Sequence, residues 1–142
     1  MKVRDIISNK GATVYAVGPT ATVLETLKLM ADKNIGSIPV KEGDALLGIF
    51  TERDYARKII LKGKFSKDIP VAEAMHEAIT VSEDDDIGLC MQLMTDKFVR
   101  HLPVIRQGKL AGIISIGDVV KAIISEQEFT INNLSSYIAG TR

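Results

Sequence analysis

Leu46-Leu47-Gly48-Ile49-Phe50-Thr51-Glu52-Arg53-Asp54 returns 64 positions later as Leu110-Ala111-Gly112-Ile113-Ile114-Ser115-Ile116-Gly117-Asp118. Each copy is an apolar run that passes a glycine, meets a hydroxyl residue and reaches an aspartate three positions on. The run reads as a buried strand, and Thr51-x-x-Asp54 or Ser115-x-x-Asp118 as the start of a helix. Working outward, residues 16–60 align on 80–124 without a gap, and 13 of the 45 pairs are identical. Among them are Pro39/Pro103, Gly48/Gly112 and Asp54/Asp118. Such a repeat reduces the fold to two copies of one small unit.

Upstream of the run, Thr22 and Glu25 form a capping-box pattern, and Asp86 stands at the Thr22 position as another N-cap type. Val23, Leu27 and Met30 then fall on one helical stripe, echoed by Ile87, Met91 and Met94. These helices are predicted to end near Asn34 and Phe98. Ser37-Ile38-Pro39-Val40 and His101-Leu102-Pro103-Val104 follow as short strands. Proline has no N–H to give a ladder, which predicts an edge strand or pairing on one side only. Turns at Gly43 and Gly108 close hairpins with the glycine-bearing runs. Second helices are predicted over 52–61 and 116–125, with Gly63 as a C-cap. Residues 13–17 and 78–81 read as a further strand in each copy.

The unit is therefore β-α-β-β-α, an α+β fold of small mixed sheets with helices on one face. Val3-Arg4-Asp5-Ile6-Ile7 and Val71-Ala72-Glu73-Ala74-Met75 are matching lead-in segments. The chain divides into repeat 1 (1–64), repeat 2 (65–125) and a helical tail (126–142). In the tail Thr130 starts a last helix, and Ile131, Leu134, Tyr137 and Ile138 are placed to dock on the body or a partner.

With 142 residues, neither unit buries enough surface to stand comfortably alone, so the halves are expected to share a core. Lysine plus arginine and aspartate plus glutamate balance at 18 each, which argues against nucleic acid and acidic membranes as partners. Lys58, Lys62, Lys64 and Lys67 make only a modest cluster. Cys90 is the single cysteine; with no apolar run of membrane length and no secretory leader pattern, it points to the cytoplasm. An enzyme has little to work with: His76, His101 and Cys90 are the only histidines and thiol. Cys90 aligns with Thr26 on the inner side of a helix, as a small buried residue. The Glu83-Asp84-Asp85-Asp86 run lies at a helix start, where acidic residues suit the dipole better than a metal. No Gly-x-Gly-x-x-Gly or Walker loop is present.

The repeated Gly-apolar-apolar-[Thr/Ser]-x-x-Asp, after an apolar-Pro-Val strand and a helix carrying Leu-Met, resembles a tandem pair of CBS domains. The likeness covers residues 1 to about 125 and is to the stand-alone Bateman modules. It implies two units packed sheet to sheet about a pseudo-twofold axis, and a disc-shaped homodimer. It also implies clefts for adenosine-containing ligands: AMP, ADP, ATP, S-adenosylmethionine or NAD(H). Such modules sense and regulate an unidentified partner protein, with no catalytic residues, no catalytic cofactor and no metal. The alternative is a dimeric interaction scaffold without ligand.

By the resemblance, Asp54 and Asp118 accept hydrogen bonds from ribose hydroxyls, and Thr51 and Ser115 touch ribose or phosphate. The same four residues also read simply as helix-starting caps, and the two roles are compatible. Arg100 and His101 stand where the family's basic residues reach phosphates, whereas the first copy has Gly36-Ser37. Arg53, opposite Gly117, is expected to supply a phosphate contact in the other cleft. Adenine is expected between the first strand, at Val17 or Thr80, and the strands holding Ile38 and Leu102. The mismatches imply clefts of different ligand or affinity.

Overall fold

Both glycine-bearing runs close hairpins in the computed structural model, which describes residues 1–11 and 13–139. In chain order the elements are α1 (Val3–Lys10), α2 (Val23–Lys33), β1 (Ser37–Glu42), β2 (Ala45–Thr51) and α3 (Glu52–Tyr55). A π-helical turn, Ala56–Ile60, extends α3, and a 3-10 turn covers Val71–Glu73. The second half holds β3 (Val81–Ser82), α4 (Ile87–Lys97), β4 (His101–Arg106), β5 (Lys109–Ser115) and α5 (Ile116–Ala139). The hairpins share one register: Ser37 faces Thr51 and His101 faces Ser115, with a bulge after Val40 and after Val104.

The prolines set how much more sheet can form. Val17 N–H donates to the Pro39 carbonyl at 3.1 Å, and Lys41 N–H to the Val17 carbonyl at 2.9 Å. The next rung back along this parallel ladder needs an N–H that Pro39 lacks. The strand expected over 13–17 is consequently a single bridge at Val17. In the second half the ladder runs forward from Val81 to Ser82 and β3 replaces the strand expected over 78–81. β4 is thus a central strand, and its proline pairs on one side.

Helix α2 starts as the sequence predicts, with Glu25 N–H bonded to Thr22 Oγ1 at 3.1 Å. Asn34 and Phe98 end α2 and α4 in the left-handed conformation, both at φ 55°. Asp86 departs from expectation: its side chain caps nothing and lies 3.9 Å from Lys2 Nζ. The acidic run is drawn to basic groups, with Arg4 on Asp84 and Arg106 on Glu83.

The halves do not share one core. Val23, Met30, Ile38, Val40, Phe50 and Ile59 form the first, completed by Val71 and Ala74 from the second lead-in. Ile87, Cys90, Met94, Leu102, Val104, Ile114 and Val119 belong to the second, completed by Val3 and Ile6 from α1. Each lead-in is packed into the other repeat. The backbone ties it there: Val3 N–H to Asp85 O at 2.9 Å, and Val71 N–H to Ala21 O at 2.7 Å.

The tail is not a separate helix. Residues 116–139 form one 24-residue helix, and the Thr130 hydroxyl donates to Glu126 O at 3.0 Å instead of capping a new start. Glu126-Gln127-Glu128 contains good helix formers and no breaker, so nothing stops α5 at Ser125. The Tyr137 side chain and residues 140–142 lie outside the described residues.

Candidate ligand-binding site

Strand hands over to helix at two equivalent places, and both are reciprocal caps. Thr51 N–H donates to Asp54 Oδ2 at 3.0 Å while Asp54 N–H donates to Thr51 Oγ1 at 3.1 Å. Ser115 N–H donates to Asp118 Oδ2 at 2.8 Å and Asp118 N–H to Ser115 Oγ at 3.1 Å. The cap reading of these four residues is realised. It leaves each carboxylate fixed at a first helical turn, where unpaired N–H groups favour an anion.

Each carboxylate is also met by a cation or imidazole. His76 Nδ1 lies 2.8 Å from Asp54 Oδ2, and Lys58 Nζ 3.4 Å from its Oδ1. Lys58 also donates to the carbonyls of Ala74 and Met75 at 3.0 and 3.1 Å. Asp118 Oδ2 receives Lys10 Nζ at 2.7 Å, and Lys10 donates as well to Ile113 O at 2.9 Å. The sequence reading missed Lys10, Lys58 and the role of His76. The signal for them was the pairing of lead-ins, since His76 follows one directly and Lys10 closes the other.

The repeated glycines, Gly48 and Gly112, have a cause in this packing. A Cβ on Gly48 would sit 2.7 Å from the His76 carbonyl, which itself accepts Ile49 N–H at 2.9 Å. A Cβ on Gly112 would sit 2.7 Å from Ile7 Cδ1. Glycine lets each lead-in lie against the opposite hairpin.

Electrostatics separates the halves. Burial pushes the Asp118 carboxyl up, but bonds from Lys10 and Ser115 outweigh it and hold the group below its ordinary 3.8. His101 is lowered from 6.5, first by burial and then by Lys10, with Arg100 adding and Asp118 opposing. Lys10, His101, Ser115 and Asp118 therefore form one polar cluster, and the exposed Arg100 precedes His101 in the chain. A cleft of about 380 Å³ between α1 and α5 opens beside it, lined by Asn9, Lys10, Asp118, Lys121 and Ser125 among others. That volume lies within the ligand-pocket range of about 300–1,000 Å³.

In the first half, Ser37 occupies the position of His101. It is 4% exposed, and its Oγ has no hydrogen-bond partner among the described residues. The remaining candidates do not gather. Arg53 and Thr80 are exposed, and Val17 is half-buried. Ile38 and Leu102 are fully buried members of the two cores. Burial pushes the Cys90 thiol up to about 11, followed by the charge of Asp85, which suits an inert core residue. Among the described residues, no three His, Cys, Asp or Glu side chains are placed to hold a metal, and no helix is long and apolar enough to cross a membrane.

Residues 3–61 and 67–125 match the CBS domain family. The chain belongs to it. CBS domain-containing protein CBSX3, mitochondrial, of Arabidopsis thaliana is 44% identical over 125 residues, 84% of this chain and 61% of that protein. The solved CBS domain protein NE2398 shares 42% identity with a TM-score of 0.82, over 87% of this chain and 98% of that one. The CBS-domain containing protein ATU1752 from Agrobacterium tumefaciens shares 37% with a TM-score of 0.80, over 86% and 98%. CBS-domain proteins are regulatory and signal-transduction modules. This CBS pair carries its family motif twice, with a different polar setting each time.

Proposed function

We propose that the chain is a sensor that binds adenosine-containing nucleotides at Asp54 and Asp118 and signals to a partner protein. AMP and ATP are the first candidates, with ADP, NAD(H) and S-adenosylmethionine behind them. One observation carries this reading. Both repeats hold a carboxylate at a first helical turn, beside a hydroxyl and against the other repeat's lead-in. A ribose diol donates to a carboxylate, and a phosphate suits the nearby N–H groups and the cluster of Lys10 and His101. The cytoplasm is the proposed setting, on the lone cysteine, and a homodimer the proposed assembly.

A single observation favours the scaffold alternative. Asp54 and Asp118 already have internal partners, so neither needs a ligand to be satisfied. Thermal melting with AMP, ATP, NADH and S-adenosylmethionine decides between them. A rise in Tm with at least one supports the sensor by linkage. No rise with any at millimolar concentration supports the scaffold. Asp118→Ala should then lose one site in calorimetry while staying folded. Unchanged stoichiometry and affinity in that variant rejects the site assignment.

A further inference from the structure

The cations that hold the two carboxylates differ in what each would keep if a ligand took its place. Lys58 Nζ lies 3.4 Å from Asp54 Oδ1 and donates also to the Ala74 and Met75 carbonyls, so it stays bonded without that carboxylate. Lys10 Nζ lies 2.7 Å from Asp118 Oδ2 and would keep only the Ile113 carbonyl among the described residues. No second carboxylate stands ready for it. Among the described residues that line the cleft between α1 and α5, Asp118 is the sole acid, and Lys121 adds a second ammonium. Lys121 has no ion-pair partner among the described residues. Asp118 Oδ2 is meanwhile full. It accepts Ser115 N–H at 2.8 Å as well as Lys10, and a carboxylate oxygen offers about two lone-pair sites. The Ser115 bond is half of a reciprocal helix cap, whereas Lys10 ends α1 on a flexible stem. A ribose hydroxyl that reaches Oδ2 therefore displaces Lys10.

We propose that Lys10 determines the ligand class of the cleft at Asp118: it yields the carboxylate to a ribose only where the ligand brings an anion in exchange. This rests on the reading of Asp118 as the ribose acceptor. Displaced by a neutral nucleoside, the Lys10 ammonium is left in a cleft with Lys121 and no counter-charge, which opposes binding. A phosphate on the same ligand replaces the lost carboxylate with a charge-assisted bond, and Lys121 adds to the attraction. The cleft at Asp118 thus takes phosphorylated adenosine compounds. It turns away adenosine, and also S-adenosylmethionine, whose sulfonium adds a further cation. Asp54 sets no such condition, because Lys58 keeps its two carbonyls whatever occupies the carboxylate. The two clefts sort ligands by charge, although both present the same hydroxyl and carboxylate.

The test is a titration of the full chain with AMP and with adenosine, followed by nuclear magnetic resonance at the Ser115 and Asp118 backbone amides, which report this cleft alone. The wild type is expected to bind AMP about tenfold more tightly than adenosine, or better. Lys10→Met is expected to bind adenosine about fivefold more tightly than the wild type, since nothing then competes for Oδ2. The same variant is expected to lose most of the preference for AMP, and Lys10→Arg, which keeps the charge, to retain it. A purely structural role for Lys10 would weaken both ligands together. Adenosine bound no more tightly by Lys10→Met than by the wild type, or an undiminished preference for AMP, overturns the exchange. Should Lys10→Met unfold, S-adenosylmethionine decides on the wild type: binding at these amides as tight as that of AMP overturns the charge requirement, and binding at least tenfold weaker supports it. A wild type and a Lys10→Met chain that bind none of these ligands overturn the ribose reading of Asp118 itself, and this inference with it.

Discussion

His76 reaches across the repeat boundary to place Nδ1 2.8 Å from Asp54 Oδ2, and Lys10 reaches back to Asp118 at 2.7 Å. Neither carboxylate is held by its own repeat alone. Because each lead-in is built into the opposite core, a ligand that competes for either carboxylate acts on the joint between repeats. A joint with two arrangements is what a sensor needs to turn binding into a change of shape.

Lys10→Met should raise the Asp118 pKa. In the wild type burial pushes the carboxyl up and Lys10 is the foremost group pulling it down. Without that ammonium only the Ser115 bonds oppose burial, and the pKa of the group is expected to rise from its wild-type value. Side-chain carboxyl chemical shifts followed through an acid titration give the answer. A pKa unchanged in the variant means that the Ser115 bonds suffice.

Stability should also fall with acid in two stages. His101 has a folded pKa below its unfolded 6.5, so its contribution is complete above 6.5 and is lost as pH falls through the folded value. Asp118 behaves alike below 3.8. Urea unfolding from pH 7.5 to 5 is expected to show a decline that His101→Gln flattens. An equal slope in the variant excludes His101 as its source.

The two glycines of the repeated motif should differ in tolerance. Alanine at position 48 meets a backbone oxygen, the His76 carbonyl, which accepts Ile49 N–H while His76 N–H donates back to the Ile49 carbonyl. At position 112 it meets only the end of the Ile7 side chain, which can rotate. Gly48→Ala is expected to cost about 2–3 kcal/mol and Gly112→Ala about 1 kcal/mol or less. Denaturant midpoints of the two variants measure this, and equal losses would contradict the packing described.

What the sequence revealed and what it hid follow from the range of each interaction. The hairpins, the ends of α2 and α4 and the capped aspartates depend on residues within a few positions, so pattern was enough to read them. The swapped lead-ins were not legible, because Val3 and Val71 are apolar wherever they pack. Lys10 and Asp118 are 108 positions apart, beyond any local motif. The missing strand over 13–17 was half visible: Pro39 was recognised, but its missing donor acts on a partner strand whose register only the fold supplies. The tail was misread through Thr130, whose hydroxyl satisfies itself one turn back as easily as it caps.

Ser37 offers the sharpest separation of stability from binding. Its hydroxyl is buried without a partner among the described residues, in the position where the second repeat carries His101. An unsatisfied buried polar group costs about 1–3 kcal/mol, and alanine removes the group while keeping nearly the same shape. Ser37→Ala should therefore raise the unfolding free energy of the ligand-free protein by about 1 kcal/mol. If that hydroxyl serves a ligand at Asp54, the same variant should bind the nucleotide identified by melting more weakly at that cleft. The two readouts move in opposite directions only when the orphaned hydroxyl belongs to the site. A variant that is both less stable and unchanged in binding shows instead that Ser37 is an ordinary structural residue with a partner in solution.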